Sequence, residues 1–433
     1  MRDTDIASWS NVQKTTTRLV DCADGSLPVD AGDGTFVIPR GAGRSFGDAA
    51  YVTRGTTLSS LRMARLGAID AAAGVVACEA GVRMIDLHRH VRHSGYSFCI
   101  YGGTPWATVG GAVASDIHGK SDWSDGSFGN HVVAVTVVAP DHGEIECSAS
   151  QHPDLFAATI GGMGLTGFIT SVTMRLEPSR RRAVRVRARV VSSVREMIDC
   201  FTHLGADMMV CDWLSPSLRS GRGILWYGVY VAGHVEPRST VTALWLPRVK
   251  VFNRWTVRGM GMVLEAAAKK LDVVLHVQQF NYGGGHTVLV NWNRLYGRRG
   301  FIEYHFVLDE ARFASGYHAL AALARARSVD LFFGVVKRFG DVRRAGLLSF
   351  PVPGYGVNFQ VEDTADARRL LLAFTDLLVE LGGRVYLAKD AVILPRHLEA
   401  MYPQLGAWRS IVKAYDPRGR IQSDLSIRLR MKT

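Results

Sequence analysis

The 433 residues carry a formal charge of +12, with 47% hydrophobic and 21% charged side chains. That length exceeds what one core ordinarily fills and points to roughly two or three domains, while the composition excludes a disordered chain. No apolar run reaches about 18 residues and the opening MRDTDIASWSNVQKTTTR lacks an apolar stretch, so neither a membrane-spanning helix nor a signal peptide is expected.

Six cysteines (Cys22, Cys78, Cys99, Cys147, Cys200 and Cys211) are scattered with no C-x-x-C, which points to reduced, structural thiols. The positive excess implies attraction to polyanions, whether nucleic acid, anionic headgroups or a phosphorylated substrate.

In chain order, the first informative element is IPRGAGRSFGDAA, Ile38 to Ala50. A Gly-x-Gly followed by Arg and Ser suits a pyrophosphate, because successive backbone N–H groups form an anion nest and small side chains allow close approach. The spacing of a Walker loop is absent. Next, DLHRHVRHSG places His88, His90 and His93 on a helix, where the first two stand about 200° apart and cannot share an ion. Solvated histidines are expected there, and no metal site. From Tyr101 to Val132 the chain lacks apolar periodicity for too long to be an inert loop, and is expected to line a ligand.

HPDLFAATI then reads as a short helix and FITSVTMRLEP as a strand, with GGMGLTG between them. The loop holds a literal G-x-G-x-x-G at Gly162, Gly164 and Gly167, but a dinucleotide turn needs the strand first and the helix second. A Rossmann domain is therefore excluded. The residues alone leave open a tight turn or a backbone that closely approaches a ligand.

Pro178 and the run RRRAVRVRARVV, with Arg180, Arg181 and Arg182 at its head, suggest a domain boundary. As a strand the run puts Arg185, Arg187 and Arg189 on one face and Val184, Val186 and Ala188 on the other. That basic face is either solvated or a patch for a membrane or phosphate-bearing ligand. Without interleaved aromatics it does not suit nucleic acid. Beyond it come the long strands GILWYGVYVAG and GFIEYHFVL, and a helix with Thr364 as N-cap and Leu370, Phe374, Leu377, Leu378 and Leu381 as a core stripe, stopped at Gly382 and Gly383. No repeat or low-complexity segment is present.

Taken in this order, the three glycine segments resemble the vanillyl-alcohol-oxidase-type flavoproteins. PRGAGRSFGD is similar to their pyrophosphate loop. TVGGAVASDIHGKSDWSDGSFGNHV and GGMGLTGFIT resemble one branch in particular, the oxidase subunits of decaprenylphosphoryl-β-D-ribose 2′-epimerases. VVKRFG, LLSFPVPGY, GGRVYLAKDA and MYP extend the resemblance over nearly the whole chain. It implies an α+β fold: a bipartite FAD-binding (PCMH-type) domain of residues 1–178, onto which 390–433 pack back, and a substrate domain, 179–389, with an antiparallel sheet flanked by helices.

The resemblance implies FAD, held non-covalently, and oxidation of the 2′-hydroxyl of a polyprenyl-phosphoryl ribose to a ketone. A separate NAD(P)H-dependent reductase would complete the epimerisation, and the work would be done at the cytoplasmic face of the inner membrane by peripheral contact. Arg40, Gly41, Ala42, Gly43, Arg44, Ser45, Phe46, Gly47, Asp48, Ala49, Gly102, Gly103 and Thr104 would hold pyrophosphate and ribityl. Thr108, Gly110, Gly111, Gly162, Gly164, Gly167 and Ile169 would lie near the flavin, and His118, Gly119, Lys120, Ser127, Asn130 and His131 would form a second wall. Tyr386 and Lys389 would adjoin the isoalloxazine. Lys389 would orient or deprotonate the sugar hydroxyl, with His118 as rival base, and Lys337, Asn358, Glu303 and His305 would meet the substrate.

Four departures stand out. The stretch CADGSLPVDAGDGTFVIPRG has no room for the usual helix before the pyrophosphate loop, which would leave the adenine end more open. Phe46 replaces a tyrosine, Asn358 replaces a cysteine, and Glu303 and His305 replace glutamines. Two rivals follow: a soluble sugar or alditol oxidase of the same superfamily, and a non-catalytic binder that would purify colourless.

Overall fold

β-Branched and aromatic residues recur through the longer strands, and Gly41, Pro140 and Gly340 directly follow three of the strands. The computed structural model describes residues 2–23, 35–98, 100–178, 183–213, 221–233, 235, 246–288 and 291–433. Cys99, Arg180, Arg181, Arg182 and residues 24–34, in the stretch expected to be too short for a helix, lie outside the described residues.

The N-terminal part builds a small ribbon of Tyr96–Ser97 with Glu177–Pro178 and two larger sheets. One has the strand order Arg2–Ala7, Lys14–Asp21, Thr56–Ser59, Val37–Arg40. The other runs Leu66–Asp70, Val75–Glu79, Phe168–Arg175, Val132–Ala139, Gly143–Ser148. The helix Pro153–Thr159 leads into the glycine loop and the strand Phe168–Arg175 leaves it, the reverse of a dinucleotide turn.

From Ala183 onward the chain forms an eight-stranded sheet with every neighbour antiparallel. Its strands, in spatial order, are Asp272–His276, Ala183–Val191, Gly223–Val231, Met208–Trp213, Phe332–Phe339, Gly354–Glu362, Phe301–Leu308 and Arg384–Val385. The helices Glu310–Ala326 and Ala365–Glu380 cover one face. Thr364 caps the second of these by accepting from the Ala367 N–H, and Leu370, Phe374 and Leu378 fall in its buried stripe. The fold is thus α+β, with an antiparallel sheet backed by helices.

Every residue of Phe301–Leu308 is buried, because this strand is covered on both sides. Tyr304 faces the helices and shares a 2.7 Å hydrogen bond with Thr375, while Glu303, one position away, faces the cavity described below. The end of the chain returns to the N-terminal part: the Arg420 carbonyl accepts from the Val37 N–H, and Trp408 donates to the Ala158 carbonyl at 3.0 Å. Arg428 pairs with Asp48 and Asp390, both buried, at 2.8 Å each.

One expectation changes. His88 is buried rather than solvated, since it shares the inward face of Met84–Val91 with Leu87 and Val91 and packs against Phe98, Tyr101 and Tyr282. Burial drops its pKa to about 3, so it is neutral. The described arginines of the basic strand are paired: Arg185 and Arg187 with Asp272, at 2.7 and 3.2 Å, and Arg189 with Glu196 at 3.3 Å.

Candidate active site

A cavity of about 540 Å³ runs between the N-terminal sheets and the open face of the eight-stranded sheet. One end is a backbone cradle. Past the strand Val37–Arg40 the chain turns at Gly43, whose φ of 62° favours glycine. A Cβ on Gly41 would collide with the Thr108 side chain at Oγ1, so glycine lets the loop lie directly against that residue. Arg40 donates to the Ala50 carbonyl at 3.1 Å, and the Arg44 guanidinium lies 4.1 Å from the centre of the Trp9 ring. Arg44 Nε is buried with no hydrogen-bond partner among the described residues.

Thr108 caps the short helix Val109–Ala114 by accepting from the Gly111 N–H, and the Met163 N–H donates to the Ala114 carbonyl. These bonds bring the second and third glycine segments together. Gly103 and Gly164 would each project a Cβ into open space.

The other end is polar. Lys120, Lys337 and Lys389 all line the cavity, with Glu303, Asn358, Gln360, Asp212, His118 and Tyr386. Lys389 arrives on the turn Leu387–Lys389, placed by the pairing of Arg384–Val385 with Val307 and Phe306. Its ammonium lies 2.6 Å from Glu303 Oε1. Gln360 and Asn358 donate to the same carboxylate at 2.8 and 3.3 Å, as the antiparallel register opposes Gln360 to Glu303.

Burial, with Lys389 and Lys120 close by, pulls the Lys337 ammonium down to about 7. Burial likewise lowers Lys120 to about 8, with Asp212 opposing the shift, and raises the Asp212 carboxyl. His118 stands among the rings of His305, Phe339, Phe350 and Tyr386, with centroids 4.9 to 5.7 Å away. Burial and then Lys337 and Lys389 hold its imidazole well below the usual histidine range. Tyr386 fixes its own ring by donating to the Ser115 carbonyl at 2.7 Å.

Of the residues singled out from sequence, Arg40 to Phe46, Ala49, Gly103, Thr104, Thr108, Gly110, Gly111, His118, Lys120, Gly164, Gly167, Ile169, Glu303, Lys337, Asn358, Tyr386 and Lys389 line this cavity. Gly47, Asp48, Gly102, Gly119, Ser127, Asn130, His131, Gly162 and His305 do not. Asp48 is taken up by Arg428, and Gly47 packs on the Asp390 carbonyl. Ser127 donates to Asp116, Asn130 to the Arg343 carbonyl, and His131 bonds the Asp125 carbonyl, so these three brace the loop that carries His118. His305 meets the His118 ring edge to face, with both its ring nitrogens buried and unpartnered among the described residues. Sequence reasoning missed Trp9, Asp212 and Gln360. Asp212 had a signal, a carboxylate inside the apolar strand MMVCDW, and Gln360 shares the alternation of Asn358. Among the described residues no group of His, Cys, Asp and Glu is placed to hold a metal.

Residues 31–148 match the family model for an FAD binding domain. Decaprenylphosphoryl-beta-D-ribose oxidase of Mycolicibacterium smegmatis is 29% identical over 98% of this chain and 97% of its own. The chain is an FAD-dependent oxidoreductase. An uncharacterized protein of Streptomyces coelicolor is 28% identical over 80% of this chain and all of its own, and L-gulonolactone oxidase of Mus musculus is 32% identical over only 32% of the chain and 31% of its own. The cradle of this oxidoreductase fits FAD on its own terms. Glycines stand where a side chain would close the turn or enter the cavity, and the unpartnered Arg44 Nε is a buried cationic donor suited to a phosphate.

Proposed function

We propose that the chain oxidises the 2′-hydroxyl of a polyprenyl-phosphoryl-β-D-ribose to the 2′-ketone, the first half of an epimerisation to the arabinose donor. The observation that carries this reading is the polar end of the cavity, where Lys120, Lys337 and Lys389 gather beyond the glycine cradle. Several cations in a low-dielectric site suit a substrate that is both an alcohol and a phosphodiester. The near full-length similarity to the ribose oxidase supports the same substrate class.

When bound, FAD supplies the acceptor for the hydride that leaves the sugar carbon. The chain's part is to hold, orient and deprotonate. Arg40, Gly43 and Arg44 would cradle the pyrophosphate, and Gly103, Gly164 and Gly167 would let the rest of the cofactor lie against backbone. The link is non-covalent. Lys389, held at 2.6 Å by Glu303, orients the sugar oxygens. Lys337, lowered to about 7, is an amine for about half the time at neutral pH and takes the hydroxyl proton. His118 stays neutral and is too weak a base to keep that proton, so it shapes the pocket.

The same reading assigns residues 1–178, with 390–433, to the cofactor and 179–389 to the sugar. It adds a separate NAD(P)H-dependent reductase that returns hydride to the opposite face, and work at the cytoplasmic membrane surface as a peripheral protein. No helix among the described residues is long and apolar enough to cross a membrane.

The test is an anaerobic absorption spectrum of the FAD-loaded protein before and after a short-chain polyprenyl-phosphoryl ribose. Bleaching of the yellow band by this substrate and not by free ribose is the expected result. Bleaching by free sugars or alditols alone would assign a soluble oxidase instead, and a colourless, folded, FAD-supplemented protein would end the enzyme reading.

A further inference from the structure

The three most exposed large apolar side chains among the described residues, Trp255 (72%), Val263 (70%) and Met262 (62%), all belong to the helix Arg254–Ala268. At about 100° per residue these three fall on one side of the helix, opposite Val257, Gly261 and Ala268, which are buried against the body of the protein. Isolated exposed apolar residues need no explanation, but a tryptophan, a methionine and a valine sharing one helix face do.

The charges around this face are sorted. Glu265 is paired with Arg222 at 2.7 Å and Arg254 with Asp330 at 3.1 Å. Arg258, Lys269 and Lys270 have no carboxylate partner among the described residues. The face therefore combines apolar side chains with uncompensated cations. The basic strand is a poorer candidate, because Asp272 and Glu196 already occupy Arg185, Arg187 and Arg189.

The helix is also continuous with the cavity. Met260 lines the cavity while remaining 40% exposed, and Phe252, just before the helix, lines it too. The exposed face is thus the outer side of the cavity's lip.

We propose that this helix seats the protein on an anionic bilayer, with Trp255, Met262 and Val263 entering the boundary between headgroups and acyl chains and Arg258, Lys269 and Lys270 meeting lipid phosphates. Amphipathic helices that lie in a membrane surface combine these two features, and tryptophan favours that depth. The inference extends the lipid-linked substrate reading: a lip resting in the bilayer admits a sugar-phosphate headgroup while its tail stays in the membrane.

The test floats the FAD-loaded chain with vesicles of phosphatidylcholine containing a minority of phosphatidylglycerol, at low and high salt. Alongside run Trp255→Ser/Met262→Gln/Val263→Gln and Arg258→Glu/Lys269→Glu/Lys270→Glu, each checked for unchanged flavin content and melting temperature. Wild type is expected to co-float, and each triple variant to lose about tenfold or more of that binding, with salt weakening wild-type binding. Equal flotation of wild type and the apolar variant overturns the proposal. So does an absence of wild-type flotation, and so does wild-type self-association that the apolar variant abolishes, which would make the occupant a second copy. The vesicles carry no substrate, so failure here leaves the oxidation reading intact if the short-chain substrate still bleaches the flavin.

Discussion

Glu303 is the residue whose environment says most about the chemistry. It is a buried carboxylate that touches an ammonium and two amides, Lys389, Asn358 and Gln360, so its charge is compensated at every contact. Glu303→Gln keeps the volume and removes the charge. The KM for a phosphate-bearing substrate is expected to fall several-fold, since no carboxylate competes for Lys389, while the limiting rate of flavin reduction falls about tenfold as Lys389 loses its anchor. Stopped-flow reduction at several substrate concentrations separates the two. Lys337 makes an opposite prediction for fold and function. Lys337→Met should keep FAD but slow reduction by about 10²–10⁴-fold, and the rise of wild-type kcat/KM through pH 7 should vanish with it. For stability the sign follows from the lowered pKa. Between about 7 and the unfolded value near 10 the unfolded chain binds the extra proton, so wild-type stability rises with pH across that window and is lowest below it. The methionine variant should therefore melt later at neutral pH, by on the order of 2–4 kcal/mol, with a flatter pH dependence in a calorimetric series.

At the scale of elements, the cradle depends on glycine at positions where a neighbouring segment leaves no room for a side chain. Gly41→Ala places a methyl against Thr108 Oγ1, so the loop must move away from the helix Val109–Ala114. FAD affinity is expected to drop at least about tenfold with little change in far-UV circular dichroism, as a titration of flavin fluorescence would show. The same elements indicate what the sequence could reveal. The order helix, glycine loop, strand around Gly161–Gly167 was enough to exclude a Rossmann turn, and period-two alternation marked the strands Phe168–Arg175 and Ala183–Val191. Strand order was not legible: Met208–Trp213 lies beside Phe332–Phe339, more than a hundred residues on, and only that pairing brings Asp212 near Lys337. Nor was the side each loop residue would take. Ser127, Asn130 and His131 read like Lys120 in a polar stretch, yet three hydrogen bonds to Asp116, Arg343 and Asp125 turn them away from the cavity. A polar side chain reports its chemistry in sequence, whereas its direction depends on partners far along the chain.

At the scale of the whole molecule, one guanidinium joins three distant segments. Arg428, near the end of the chain, bonds Asp48 beside the cradle and Asp390 next to Lys389. Arg428→Met leaves two buried carboxylates facing each other. The expected loss is about 3–5 kcal/mol in urea unfolding, with weaker flavin retention at temperatures where the protein is still folded. Asp48→Asn with Asp390→Asn in the same background should recover much of the loss, because the uncompensated charges are gone.

That clasp also sets a timetable. Arg428 follows Asp48 by 380 positions, so a growing chain finishes the loop at Arg40 to Ala49 long before the residue that fixes it. Nascent protein should consequently hold its vitamin-derived prosthetic group only weakly until Arg428 has been made, and partial chains released before that residue should leave the translation machinery paler.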